Sequence, residues 1–166
     1  MTPFNVHATT VAIRDPAGID HGVLIRGRPG SGKSELALRL IDAAGLGSGD
    51  VPLRARLVAD DQTLLMRGGS TLLASAPAAL AGLIELRGQG ILPMPHVASV
   101  PVSLVVDLRD RHEIERLPDD RLLSTEIAGV ALPRIVLDQT QPAAPAIIRM
   151  ILTARVWALP DGGQRA

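Results

Sequence analysis

The stretch Gly27-Arg28-Pro29-Gly30-Ser31-Gly32-Lys33-Ser34 limits what this chain can fold into more than any other. It fits the pattern G-x-x-x-x-G-K-[ST]. A short apolar run, 22–25, precedes it, and apolar residues at 36, 37, 40, 41 and 44 follow at helical spacing. Strand, glycine-rich loop and helix in that order form an anion cradle. Glycines let successive N–H groups turn inward, and the helix start adds its positive dipole end. The pattern implies a nucleoside triphosphate bound with Mg²⁺, with Lys33 on the β- and γ-phosphates and the Ser34 hydroxyl on the metal. A chance glycine turn containing Gly-Lys-Ser lacks this strand-before, helix-after context.

The 166 residues suit one domain with a real core. We expect residues 1–159 to form it and 160–166 to be a flexible tail. Aromatics are almost absent, so Leu, Val, Ile and Ala must fill the core. Positive and negative charges cancel, and no basic run marks a nucleic-acid partner or an anionic membrane surface. There is no cysteine, which excludes disulfides and thiol chemistry. No apolar stretch approaches bilayer length and no leader pattern opens the chain. These features together predict a cytoplasmic protein with no nucleic-acid or membrane partner.

Apolar patterning predicts strands at 6–13, 22–25, 56–59, 102–108 and 131–137, and a hairpin of 62–66 with 70–75 around Arg67-Gly68-Gly69. Helices are expected from 34 to near 45, over 77–83, in part of 109–124, and over 143–157 with Trp157 packed at its end. Segment 84–91 leads into a proline-rich loop, 92–101. Strands and helices do not alternate strictly, so the fold class is α/β with a mixed sheet flanked by helices.

Strand 56–59 ends in Asp60-Asp61. A carboxylate at a strand end beside a phosphate loop can hold Mg²⁺ directly or through water. Its neighbour can take a proton from an attacking hydroxyl, and two adjacent like charges disfavour joint ionisation. Alone, the pair could equally be an acidic turn. Glu85 and Arg87 stand at alternate positions and would share one face, which by itself suggests a surface ion pair. His7 alone suggests a structural role, and His21 a loop histidine of no assigned role. His96 and His112 lack partners at metal spacing.

Taken in order, His7, the phosphate loop, Arg56-Leu57-Val58-Ala59-Asp60-Asp61 and Glu85-Leu86-Arg87-Gly88-Gln89-Gly90-Ile91 resemble the C-terminal catalytic domain of HPr kinase/phosphorylase. The likeness covers roughly residues 6–155, and the Ala-Asp-Asp and Glu-Leu-Arg-Gly-x-Gly-Ile elements are its specific part. It implies a P-loop kinase domain of the short form without the family's N-terminal domain. It further implies ATP and Mg²⁺ as cofactors, transfer to a serine of the phosphocarrier HPr, and a homo-oligomer, a hexamer in that family. By the same resemblance Asp61 is the proton acceptor, with Asp60, His7, Lys33 and Arg121 also catalytic. Ser34, Glu85 and Asp60 would hold the metal.

The sequence departs from that pattern in three places. Extra residues, including Asp15-Pro16-Ala17-Gly18, separate His7 from the loop. Pro95-His96-Val97-Ala98 replaces the family's Phe-Gly-Ala. Where the family carries the arginine-bearing stretch tied to phosphorolysis, this chain has Gln139-Thr140-Gln141-Pro142-Ala143-Ala144. A phosphorolysis site needs such cations for inorganic phosphate, so weak or absent phosphorylase activity is expected. Two other functions remain open on sequence. One is a small-molecule kinase, which would want an arginine-rich lid; the other is an ATP-sensing binding module.

Overall fold

Residues 8–13, four apolar side chains and two threonines, form a strand segment buried on both faces. The computed structural model describes residues 2–156. Its strands are β1 (Phe4–Arg14), β2 (Asp20–Arg26), β3 (Ala55–Ala59), β4 (Gln62–Gly68), β5 (Thr71–Ser75), β6 (Leu83–Leu86), β7 (Gly90–Pro93), β8 (Ser99–Leu108), β9 (Ser124–Ile127) and β10 (Val130–Leu137). Its α-helices are α1 (Lys33–Asp42) and α2 (Ala144–Ile151).

Two long strands organise the sheet. The first half of β1 pairs with β4, Phe4 opposite Leu65 through His7 opposite Gln62. Its second half pairs with β2 on one side and β3 on the other. Likewise β8 pairs with β5 near its start and with β2 and β10 further on. The result is a mixed eight-stranded sheet in which β2, β8 and β10 run parallel side by side.

Side-chain alternation splits the core in two. Val11, Ile13, Val23, Ile25, Leu104 and Val106 face α1 and α2. Ala8, Ala12, Leu24 and Val105 face the β4–β5 hairpin side, with Leu65, Leu72 and Ala74. Gly22 is opposite Val102 but Val23 is opposite Leu104, so Ser103 is an extra residue that shifts the parity of β8 between the two cores. Gly22 permits this approach, because a Cβ there would lie 2.7 Å from the Pro101 carbonyl oxygen.

Several expectations need correction. Segment 77–83 forms only a 3-10 turn, Ala78–Leu80. Gly82, at φ 72, ends it against the His96 ring, leaving too few residues to nucleate a helix. Segment 84–93 is a hairpin rather than a lead into loop, and its strands β6 and β7 form a separate two-stranded sheet. Residues 109–124 hold two short 3-10 turns, Arg111–Glu113 and Asp120–Leu123. Strand β9 was not anticipated. The C-terminal helix is α-helical only to Ile151 and continues as a π-helical turn, Leu152–Val156. Trp157 and the expected tail at 160–166 lie outside the described residues. His21 belongs to β2, where it meets Asp15 and Ser103. Among the described residues no helix is long and apolar enough to cross a membrane.

Candidate active site

The phosphate loop leaves β2 at the C-terminal edge of the parallel strands, where open α/β sheets bind ligands. Gly30 and Gly32 have φ 77 and 85, which L side chains rarely adopt. A Cβ on Gly27 would press on the Ser31 side chain and stand 3.1 Å from Leu108 Cβ, so the close packing here favours glycine. Lys33 begins α1, is 5% exposed, and donates from Nζ to the Gly27 and Arg28 carbonyls at 3.4 and 3.3 Å. Burial lowers its pKa, while the Asp61 and Asp60 charges pull it back up.

Strand β1 carries two side chains to this loop, because residues 7, 9, 11 and 13 face α1. His7 Nε2 lies 2.9 Å from Lys33 Nζ. An ammonium only donates, so Nε2 accepts and the ring proton is on Nδ1. That nitrogen meets Asp61 Oδ1 at 3.0 Å. Lys33, His7 and Asp61 thus form one hydrogen-bonded chain ending on a half-exposed carboxylate.

The two aspartates have separate surroundings. Asp61 has φ 61, a left-handed conformation that turns β3 into β4 and points the carboxylates to different partners. Asp60 is buried. Its Oδ1 accepts from Ser34 Oγ at 2.7 Å and Thr9 Oγ1 at 2.8 Å, and its Oδ2 accepts from the Glu85 N–H at 2.9 Å. Thr9 Oγ1 also accepts from the Asp61 N–H at 3.3 Å.

The structure therefore brings together His7, Lys33, Ser34, Asp60 and Asp61. Glu85 touches the site through its backbone, and its side chain is exposed. Arg87 does not share a strand face with Glu85, because β6 ends at Leu86 and Arg87 lies in the turn closed by the Gln89 N–H on the Leu86 carbonyl. Arg121 sits on an exposed 3-10 turn that Asp119 caps by accepting from the Arg121 N–H, and among the described residues no hydrogen bond joins the Arg121 side chain to the site.

Two participants were missed. Thr9 was legible only as a hydroxyl in an apolar strand, which must find a partner when buried. Gln139, after β10, packs its side chain 2.5 Å from where a Cβ on Gly32 would be. A cavity of about 280 Å³ adjoins the loop, lined by 28–31, 108–110 and 138–140, the segments that follow the three parallel strands. Ser31 Oγ and Gln139 Oε1 are buried here without a hydrogen-bond partner among the described residues. Glycine-dependent backbone, a buried ammonium, a hydroxyl beside a carboxylate and two orphaned polar atoms fit a polyphosphate with a divalent cation.

Asp107, at the end of β8, joins neighbouring strands. Arg26 donates to both its oxygens at 2.7 and 2.9 Å, and Arg134 donates at 2.6 Å. Burial would raise its pKa, but the two guanidinium groups outweigh that and hold it below the usual carboxylate range.

The family model for the HPr Serine kinase C-terminal domain matches residues 4–155. HPr kinase/phosphorylase of Chlorobium phaeobacteroides is 34% identical over 127 residues, covering 70% of this chain and 34% of that protein. The Geobacillus thermodenitrificans protein of the same name is 36% identical over 127 residues, 70% of this chain and 38% of its own length. The chain thus spans little more than a third of these relatives. The solved HPr(Ser) kinase/phosphatase of Coxiella burnetii superposes with a TM-score of 0.68 at 28% identity, covering 90% of this chain and 94% of that one. A domain model matched from the first strand to the last helix, with a solved relative of the same extent, places the chain: it belongs to the HPr serine kinase C-terminal domain family.

Proposed function

We propose that this protein is a P-loop kinase that transfers phosphate from ATP to a serine of an HPr-type phosphocarrier. The observation that carries the reading is the Lys33–His7–Asp61 chain beside a glycine-dependent phosphate loop. The loop N–H groups and Lys33 bind the phosphates. Ser34 and Asp60, already 2.7 Å apart, hold Mg²⁺ with Glu85 close by. Bound ATP and Mg²⁺ supply the phosphoryl group and neutralise its charge. Asp61 accepts the serine hydroxyl proton as the oxygen attacks, and His7 orients that carboxylate through its Nδ1–H. Arg121 keeps only the role the resemblance implies. By the same resemblance we assign a homo-oligomeric state, a hexamer in the family; from composition and patterning we assign a cytoplasmic location and no nucleic-acid or membrane partner.

We also propose that reversal is weak. The loop after β10 bears no arginine, and Arg39 of α1 already donates to the Gln139, Gln141 and Pro142 carbonyls at 2.7, 3.1 and 2.8 Å. Its guanidinium is thereby committed to the backbone instead of to inorganic phosphate.

The test is incubation of the purified protein with γ-labelled ATP, Mg²⁺ and HPr. Label on an HPr serine supports the reading, and Lys33→Ala should abolish it. ATP binding without transfer would indicate a sensing module, and label only on a small acceptor a metabolite kinase. Inorganic phosphate added to phosphoserine-HPr should release little carrier; release near the forward rate contradicts the second proposal.

A further inference from the structure

His21 stands near the start of β2, at the opposite end of that strand from the phosphate loop, and the kinase reading gives it no part. Its ring lies between a hydroxyl and a carboxylate. Nδ1 is 3.3 Å from Ser103 Oγ, and Nε2 is 3.1 Å from Asp15 Oδ2. Ser103 is the extra residue of β8, set between the pairs Gly22–Val102 and Val23–Leu104. Such bulges re-aim a side chain and recur beside active sites. Here the hydroxyl meets the imidazole, and Ser103 stays only half-buried.

The carboxylate is fixed by more than the ring. Asp15 Oδ1 accepts from the Ile19 N–H at 2.8 Å. The Asp15 N–H donates to the Ile19 carbonyl at 2.8 Å, and the Gly18 N–H to the Asp15 carbonyl at 3.0 Å. The turn thus closes on its own backbone, with Gly18 at φ 89. Burial would raise the Asp15 pKa, but the hydrogen bonds from Ile19 and His21 outweigh it and leave the pKa lowered. An ionised carboxylate only accepts, so the ring proton is on Nε2 and Nδ1 accepts from the Ser103 hydroxyl. The nearby carboxylate of Asp20 is taken up by Arg14 and Arg56. Asp15 is therefore the counter-ion for charge that forms on the ring.

We propose that Ser103, His21 and Asp15 form a second reactive site, at which Ser103 is a nucleophile toward activated carboxylic esters. A hydroxyl that donates to an imidazole held by a carboxylate is the arrangement that activates serine. The Ser103 oxygen attacks the ester carbonyl carbon and a bond forms between them, while the serine proton passes to His21 Nδ1. The bond from that carbon to the leaving oxygen breaks. The leaving oxygen keeps the electron pair and takes the proton from Nδ1. Water then attacks the acylated serine, His21 takes a proton from the water and returns it to the Ser103 oxygen, and a carboxylic acid is released. Ser103 and His21 are the catalytic residues, and Asp15 is a positioning residue that holds the ring and its proton.

The test is incubation of the whole protein with para-nitrophenyl acetate. ATP and Mg²⁺ are left out, so the outcome is independent of the kinase reading. Nitrophenolate release is followed by absorbance, and tandem mass spectrometry of acid-quenched samples locates acetyl groups. The folded wild type should release nitrophenolate faster than the same protein in urea, with acetyl on Ser103 only when folded. Ser103→Ala removes one hydroxyl and should fall to the rate of the unfolded protein. His21→Ala should be slower than wild type by ~10²-fold or more. Ring-nitrogen NMR of histidine-labelled protein should show the His21 proton on Nε2. In Asp15→Asn that preference and the release rate should fall together, with the far-UV circular dichroism spectrum unchanged. A wild-type rate no greater than that of Ser103→Ala overturns the proposal. Acetyl confined to other residues, or a wild-type His21 proton on Nδ1, overturns it equally. An Asp15→Asn protein that keeps both the rate and the proton position overturns the part given to Asp15.

Discussion

Thr9→Val separates hydrogen bonding from packing at the base of the site. The two side chains have nearly the same shape, and Thr9 is fully buried. The substitution removes the 2.8 Å hydrogen bond to Asp60 Oδ1 and the 3.3 Å acceptor of the Asp61 N–H. A hydrogen bond to a charged group is worth about 1.5–3 kcal/mol, and the longer, weaker one adds about 1. The expected loss is therefore about 2–4 kcal/mol. Thr9→Ser keeps the hydroxyl and loses one buried methyl, at a cost of about 1 kcal/mol. Packing alone would rank the two variants the other way round. Urea unfolding at pH 7, followed by far-UV circular dichroism, reads the difference. With a slope of ~2 kcal/mol per molar urea, the valine midpoint should fall by about 1–2 M. In an Asp60→Ala background the same change should cost much less, because the partner is already gone. A valine variant within about 0.5 kcal/mol of wild type, or a serine variant less stable than the valine one, would refute the reasoning.

Other consequences are open to measurement. Asp107→Asn removes the charge that Arg26 and Arg134 share, and should cost about 2–3 kcal/mol at neutral pH, Arg26 being partly exposed. The Asp107 pKa is depressed in the folded state, so its contribution is complete above the unfolded value of about 3.9 and vanishes as pH falls through the folded one. Wild-type and variant stabilities should therefore converge below about pH 4, and a constant gap down to strong acid would contradict the assignment. Arg149 is buried with no carboxylate partner among the described residues; it donates to the Leu40, Ala43 and Leu53 carbonyls and so caps the C-terminal end of α1. Arg149→Met should lower the thermal midpoint, with a loss of about 2–4 kcal/mol, whereas an unchanged midpoint would mean that water replaces the guanidinium.

What was readable in the sequence depended on how locally it was encoded. The glycine-rich stretch 27–34 is a contiguous word between a strand and a helix, so its shape was legible. Asp60-Asp61 was legible as a strand end. Their separate hydrogen-bonding surroundings were not, because these depend on the left-handed backbone at Asp61 and on a hydroxyl 51 residues away in Thr9. The hairpin of β6 and β7 was obscured because only Ile84 among its residues is buried, which leaves a weak apolar pattern. Segments 77–83 and 109–124 had helix-compatible composition, but Gly82 stops the first at one turn. The second stays close to its neighbours through capping contacts such as Asp110 with Glu113. Composition also could not show that β1 and β8 each serve two halves of the sheet, since that depends on pairing between distant segments.

That shared-strand plan has a consequence for how the site comes into being. The strand that launches the phosphate loop pairs in parallel with β8, and Arg26 meets Asp107 across 81 residues of chain. At ribosomal speeds of about 5–20 residues per second, β2 waits about 4–16 s for that neighbour to be made. During the interval its apolar edge is open on one side, a surface that favours association with other nascent chains. Such long-range parallel pairing also predicts slow refolding in vitro. The phosphate loop, the most local feature of the sequence, would then be among the last to acquire its working shape.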